Sequence, residues 1–308
     1  MAEPYPSTVP SPVLSVAPVS LDAPGRGEDL QLRVSAPVTG TGLPILVFSH
    51  GYGQSLHTYG PLVHHWASQG FVVLQPTHLD SRMLALAADD PRQPQLWRFR
   101  EQDLTRILDE LDAIEETVPA IKGRLDRSRI AVAGHSWGAQ TASMLLGATH
   151  PDPDDGSTVN ITDRRIKAGV LLTVPGTGGD NLSPFAAAHF PFMHPDFSAM
   201  TTPTLVVAGD NDHGAISVLG PEWWRQAYDL SPGRKALFTV FGGEHSLGGI
   251  SNYEAKETTD ENPARVAAVQ RISTAFLLSA LSGDDTPWKQ AVASLEVDAT
   301  PQGAIETK

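Results

Sequence analysis

The chain contains no cysteine. That absence excludes disulfides, zinc–thiolate centres and a cysteine nucleophile, and it leaves the redox compartment open. Basic residues are also scarce: 22 Lys and Arg stand against 35 Asp and Glu, a formal net charge of −13. Nucleic acids and anionic membranes are held by positive patches, so neither is expected as a partner. No apolar run approaches the roughly 18 residues that a membrane-spanning helix requires. The sequence has no phosphate-binding glycine loop, no dinucleotide fingerprint and no His-Glu-x-x-His pair, so no cofactor and no metal is expected. The N-terminal stretch MAEPYPSTVPSP lacks the basic region and apolar core of a signal peptide. On that ground the protein is expected to be cytoplasmic, or secreted if a leader has been removed.

What is present fits a globular domain with a sizeable core: 308 residues, 41% of them hydrophobic and 19% charged. VLSVAPVSL and DLQLRVSAPV alternate apolar and polar residues, as half-exposed strands do. PILVFSHG, FVVLQP, RIAVAG, AGVLLTVP, TPTLVVAGD and KALFTVFGG are nearly continuous apolar runs, as in strands buried on both faces. Helical patterns lie between them, including one long helix over 98–117 and another opened by Pro263. The alternation predicts an α/β fold with a mostly parallel, doubly wound sheet and antiparallel strands at its start. A flexible, proline-rich N-terminus is expected over 1–12, one domain over 13–296 and a flexible tail over 297–308. Segments 78–97 and 176–202 read as irregular.

Gly134-His135-Ser136-Trp137-Gly138 lies between a buried strand and a helix. A strand that turns abruptly into a helix brings two backbones together, and glycines two residues either side of the turn leave room. Ser136 at such a turn is pushed out above the sheet, beside the free N–H groups of a helix start. The competing reading is a glycine-rich turn with an incidental serine. A serine nucleophile needs a base, and a base needs an orienting acid. GGEHSLGG follows a later strand and offers His245 as the base. GDND offers Asp210 and Asp212 as acids: Asp212 reaches further over the sheet edge, while Asp210 would brace the turn. Two backbone N–H groups must face the developing oxyanion. Trp137 at the helix start and Tyr52 between Gly51 and Gly53 are best placed. His57, His64 and His65 read as surface or packing histidines, and Trp223 and Trp224 as half core, half cleft rim.

SHGYGQSLHTYGPLVHHWASQGFVVLQP, AGHSWGAQTA, TPTLVVAGDNDH and GGEHSLGG resemble the α/β-hydrolase superfamily. Within it they resemble the dienelactone-hydrolase-like, chlorophyllase-like and cutinase or polyester hydrolase branch. The resemblance implies a triad of Ser136, Asp212 and His245, with oxyanion amides from Tyr52 and Trp137. The polyester hydrolases place the acid three residues after the small residue ending the strand, which supports Asp212. The chain departs from the branch in two ways: it lacks the disulfide that many of those enzymes carry, and it lacks the cysteine nucleophile of dienelactone hydrolases proper. The expected activity is hydrolysis of small-molecule carboxylic esters with short or medium acyl or aryl groups. Amide, carbamate or thioester cleavage by the same triad is the nearest alternative, and a non-catalytic binding protein on this fold the more distant one.

Overall fold

The structure is a computed structural model that describes residues 10–253 and 258–308. The main strands in chain order are β1 (Val13–Leu21), β2 (Leu30–Pro37), β3 (Leu43–Ser49), β4 (Val72–Pro76) and β5 (Leu125–His135). A small separate hairpin follows, β6 (His150–Pro151) with β7 (Thr158–Val159). Then come β8 (Ile166–Leu172), β9 (Thr204–Gly209), β10 (Lys235–Val240) and β11 (Gly303–Thr307). The helices are α1 (Gly60–Ser68), α2 (Leu96–Asp109), α3 (Leu111–Thr117), α4 (Trp137–Leu146), α5 (Pro184–His189), α6 (Gln226–Leu230), α7 (Pro263–Ser282) and α8 (Thr286–Glu296).

Among the described residues, nine strands form one sheet in the order β1-β2-β4-β3-β5-β8-β9-β10-β11. The centre, from β4 through β10, is parallel. The first two strands and the last are antiparallel additions. This is the α/β-hydrolase fold that the motifs imply.

The continuous apolar runs have a simple cause. Side chains alternate between faces along a strand, and both faces are covered. Ile45 and Val47 of β3 enter one core with Ile130 and Val132 of β5. Leu46 and Phe48 enter the other with Ala131 and Ala133. Residues of α2, α3 and α4 fill the first core, and those of α1, α7 and α8 the second.

Three details differ from the sequence reading. The helix expected over 98–117 breaks at Glu110 into α2 and α3. Arg165 donates to the Leu108 carbonyl at 2.9 Å, taking an acceptor that a continuous helix would use within itself. The tail expected to be loose over 297–308 instead contains β11, paired with β10 from Ala236–Thr307 to Val240–Gly303. GAIET has one large apolar residue, so periodicity gives no signal. Its order comes from backbone pairing at the sheet edge and from Arg225, which bonds Glu306 at 3.1 Å. Trp223 and Trp224 are both fully buried rather than half exposed. The loose N-terminus expected over 1–12 falls largely on residues 1–9, which lie outside the described residues. Among the described residues, no helix is long and apolar enough to cross a membrane.

Candidate active site

Parallel sheets of this kind place their sites at the carboxyl ends of the strands, and three such ends meet here. Ser136 follows β5, Asp212 follows β9 and His245 follows β10.

Ser136 has φ 56° and ψ −125°. A side chain held in such a region costs about 1–3 kcal/mol, so the surroundings must impose it. They do so by crowding. A Cβ on Gly134 would lie 2.2 Å from the Gly138 carbonyl oxygen, and one on Gly138 would lie 2.1 Å from that of Ser49. Only glycine lets α4 begin this close to β3 and β5. Ser136 N–H is tied to the Leu172 carbonyl of β8 at 2.9 Å, which fixes the turn to the sheet.

His245 Nε2 lies 2.9 Å from Ser136 Oγ, and its Nδ1 lies 2.8 Å from Asp212 Oδ2. A carboxylate only accepts, so Nδ1 carries the proton and Nε2 is free to accept from the serine hydroxyl. Asp212 is buried and His245 is partly open to solvent. Trp224 holds the pair from behind: its ring centroid is 4.7 Å from that of His245, and its Nε1–H donates to the Asp212 carbonyl at 3.0 Å. Asp210 is turned away from the histidine. Its Oδ1 accepts the Gly242 N–H at 2.6 Å, and Gly242 has a positive φ of 60°. It braces the turn that leads to His245.

The amides of Tyr52 and Trp137 have no hydrogen-bond acceptor among the described residues. The Tyr52 ring is exposed and stacks on Trp137 at 5.8 Å. Trp137 itself is buried, so one of the two aromatics stands at the mouth and the other beneath it. Phe190, from the segment over 176–202, packs edge-on against Tyr52 at 5.7 Å. Phe192 and Met193 of that segment are core residues, whereas Phe185 is exposed.

Several residues that the sequence reading passed over hold the site together. Tyr59 donates its hydroxyl to His135 Nδ1 at 2.7 Å and accepts from the Gly51 N–H at 3.1 Å. His135 Nε2–H donates to the His245 carbonyl at 2.8 Å. Burial, with the neighbouring His245 as a lesser cause, pushes the His135 imidazole down to about 3, so it stays neutral and keeps this polarity. Asp260 Oδ2 accepts from both Glu244 N–H and Gly248 N–H at 2.9 Å, closing the histidine turn from each end. Among the described residues no group of three or more His, Asp or Glu could hold a metal. His64 instead bonds the Tyr253 hydroxyl at 3.1 Å.

The fold is that of the α/β-hydrolases, and comparison with known proteins narrows the resemblance. The chlorophyllase family model matches residues 15–154, a stretch that contains Tyr52, Ser136 and Trp137 and ends before Asp212 and His245. Platelet-activating factor acetylhydrolase of Cavia porcellus is 29% identical over 169 residues, with 44% of this chain and 35% of that protein covered. A Schizosaccharomyces pombe protein named "Putative phospholipase A2" is 26% identical over 155 residues, with 35% of each chain covered. The chain thus spans about a third of the length of these curated relatives. The resemblance to the chlorophyllase-like branch of serine esterases therefore extends beyond the short motifs.

Proposed function

We propose that the protein is a serine hydrolase of carboxylic esters, with Ser136 as nucleophile, His245 as general base and acid, and Asp212 as the group that orients His245. The observation that carries this reading is the continuous chain Asp212–His245–Ser136, with contacts of 2.8 and 2.9 Å, built on a serine held in a strained turn. His245 takes the hydroxyl proton as Ser136 attacks the ester carbonyl. The tetrahedral oxyanion is met by the free amides of Tyr52 and Trp137, each worth on the order of 3 kcal/mol in the transition state. His245 then protonates the leaving alcohol, and water attacks the acyl-enzyme by the same route. The two relatives named as an acetylhydrolase and a phospholipase A2 support ester hydrolysis.

The substrates are short or medium acyl esters and aryl esters. Exposed Tyr52, Phe190 beside it and Phe185 6.1 Å from Phe190 offer flat apolar contacts at the mouth. The overhang carries the six-residue α5, a single 3-10 turn over Gly179–Asn181 and their flanks, too little to enclose a long chain. The test is hydrolysis of a p-nitrophenyl acyl series together with aryl diesters by the protein and its Ser136→Ala variant. Activity retained in the variant would remove the nucleophile and the reading with it.

A further inference from the structure

The Tyr52 amide can serve an oxyanion only if its peptide faces the right way. The Gly51–Tyr52 peptide is carried on one side by a glycine, whose missing side chain leaves the peptide plane sterically free to turn over. In a planar trans peptide the carbonyl and the following N–H point in opposite directions. Whatever holds the Gly51 carbonyl therefore aims the Tyr52 N–H.

Two buried side chains hold it, together with the Gln54 N–H of the same turn, which donates to it at 3.2 Å. His50 Nδ1–H donates to the Gly51 carbonyl at 2.7 Å, and the His78 N–H donates to His50 Nε2 at 3.0 Å, which fixes that tautomer. Arg100 Nη2 donates to the same Gly51 carbonyl at 3.3 Å, and Arg100 Nη1 to the His50 carbonyl at 2.9 Å. Arg100 is fully buried and bidentate to Asp80, with both contacts at 2.8 Å. Asp80 Oδ2 in turn accepts the Gly53 N–H at 2.9 Å. The Arg100 guanidinium also lies 4.4 Å from the centroid of the Trp137 ring. One ion pair thus touches the loop on both sides of Tyr52 and the residue that carries the other free amide.

An ion pair taken out of water gains little net stability over an apolar pair of the same volume. What this pair supplies is direction. Burial pushes the Asp80 carboxyl up, but the charge and hydrogen bonds of Arg100 outweigh that and hold it well below the usual carboxylate range, so it stays an acceptor.

We infer that Arg100 and Asp80 are positioning residues for the oxyanion site: they lock the Gly51–Tyr52 peptide so that the Tyr52 N–H faces the cleft before substrate arrives. This rests on the hydrolase reading above. Preorganised donors act on the transition state and not on the bound ester, so the pair should govern kcat rather than KM.

The test uses Asp80→Asn, which keeps an oxygen acceptor for the Gly53 N–H but removes the charge, together with Arg100→Met and Arg100→Lys. Each is compared with wild type for p-nitrophenyl acetate turnover and for affinity toward a trifluoromethyl ketone and its methyl ketone counterpart. The first ketone adds to a serine and places an oxyanion in the site; the second binds without adding. The expected result is a fall in kcat of about 10²-fold, the loss seen when one oxyanion donor is removed. Affinity for the trifluoromethyl ketone should fall by the same factor, while KM and methyl ketone affinity hold, and Arg100→Lys should recover part of the loss. If Arg100→Met does not fold, Asp80→Asn decides the matter. Unchanged kcat in a folded variant, or equal losses for both ketones, would overturn the clamp while leaving the hydrolase reading intact. A wild-type protein that turns over no ester would overturn the hydrolase reading and the clamp together.

Discussion

The imidazole of His135 donates from Nε2 to the backbone carbonyl of His245 at 2.8 Å. The residue just before the candidate nucleophile thereby holds the main chain of the candidate base, across more than a hundred residues of sequence. Its other nitrogen takes the Tyr59 hydroxyl, which also meets the Gly51 N–H. The Ser136 turn, the His245 loop and the loop of Gly51 and Tyr52 are joined by one neutral hydrogen-bond chain.

Tyr59→Phe breaks that chain with little change of shape. It leaves His135 Nδ1 and the Gly51 N–H buried without a partner, at a cost of about 1–3 kcal/mol in stability. A fall in urea-unfolding free energy of that order, with a modest loss of kcat, is expected. Full retention of both would show the chain to be incidental.

The two aspartates of GDND should separate cleanly. Asp212→Asn removes the negative charge and offers an amide NH2 that can donate to Nδ1 and hold His245 in the wrong tautomer, and turnover should fall by about 10⁴-fold, as when other triads lose this carboxylate. Asp210→Asn loosens only the Gly242 turn and should act mainly on thermal stability. Steady-state kinetics of the pair would contradict the assignment if the order were reversed.

Stability should fall on mild acidification. Burial pushes His135 down to about 3 and His65 to about 4, and it drives His50 and His78 well below the ordinary histidine range. Each stays neutral in the fold, while the unfolded chain takes up the proton below about 6.5. The unfolded state then binds more protons, so unfolding free energy drops as pH falls below that value. Asp103, raised to about 6 by burial, and Glu101, raised likewise, work in the opposite direction because their folded forms take the proton first. Four histidines outweigh two carboxyls. Urea titrations at pH 7.5 and pH 5 should show a lower midpoint at pH 5; an equal or higher one would mean these histidines are not buried neutral.

Substrate choice should follow the small overhang. Catalytic efficiency is expected to peak at short or medium acyl chains, with no jump in rate when the substrate forms micelles. A steady climb beyond about twelve carbons with interfacial activation would require an enclosing lid, which the six-residue α5 does not supply.

The parts of this architecture legible in the sequence were those with a local signature. Buried strands show as apolar runs, and the serine turn shows as Gly134 and Gly138 at fixed spacing, because the steric demand lies within a few residues. The expectation that Asp212 rather than Asp210 faces His245 rests on its reach past the strand end and on the resemblance, and the structure puts Asp212 against His245 and Asp210 against Gly242. Tyr59, Asp80, Arg100 and Asp260 carry no such mark. Each is a single polar residue in an ordinary-looking stretch, and its partners come from other strand ends: Arg100 meets residues 50 and 51, and Tyr59 meets His135. Contacts of that range are set by topology and leave no periodicity. β11 was missed for a related reason, since a short polar edge strand is ordered by its neighbour's backbone rather than by its own side chains.

Whether Ser136 is an activated nucleophile is tested most directly by intact-protein mass spectrometry after exposure to a fluorophosphonate ester. The expected result is one stoichiometric adduct, mapped to the peptide containing Ser136, matched by complete loss of esterase activity and absent from Ser136→Ala. No adduct on the wild-type protein, or an adduct at another serine that tracks the loss of activity, would contradict it.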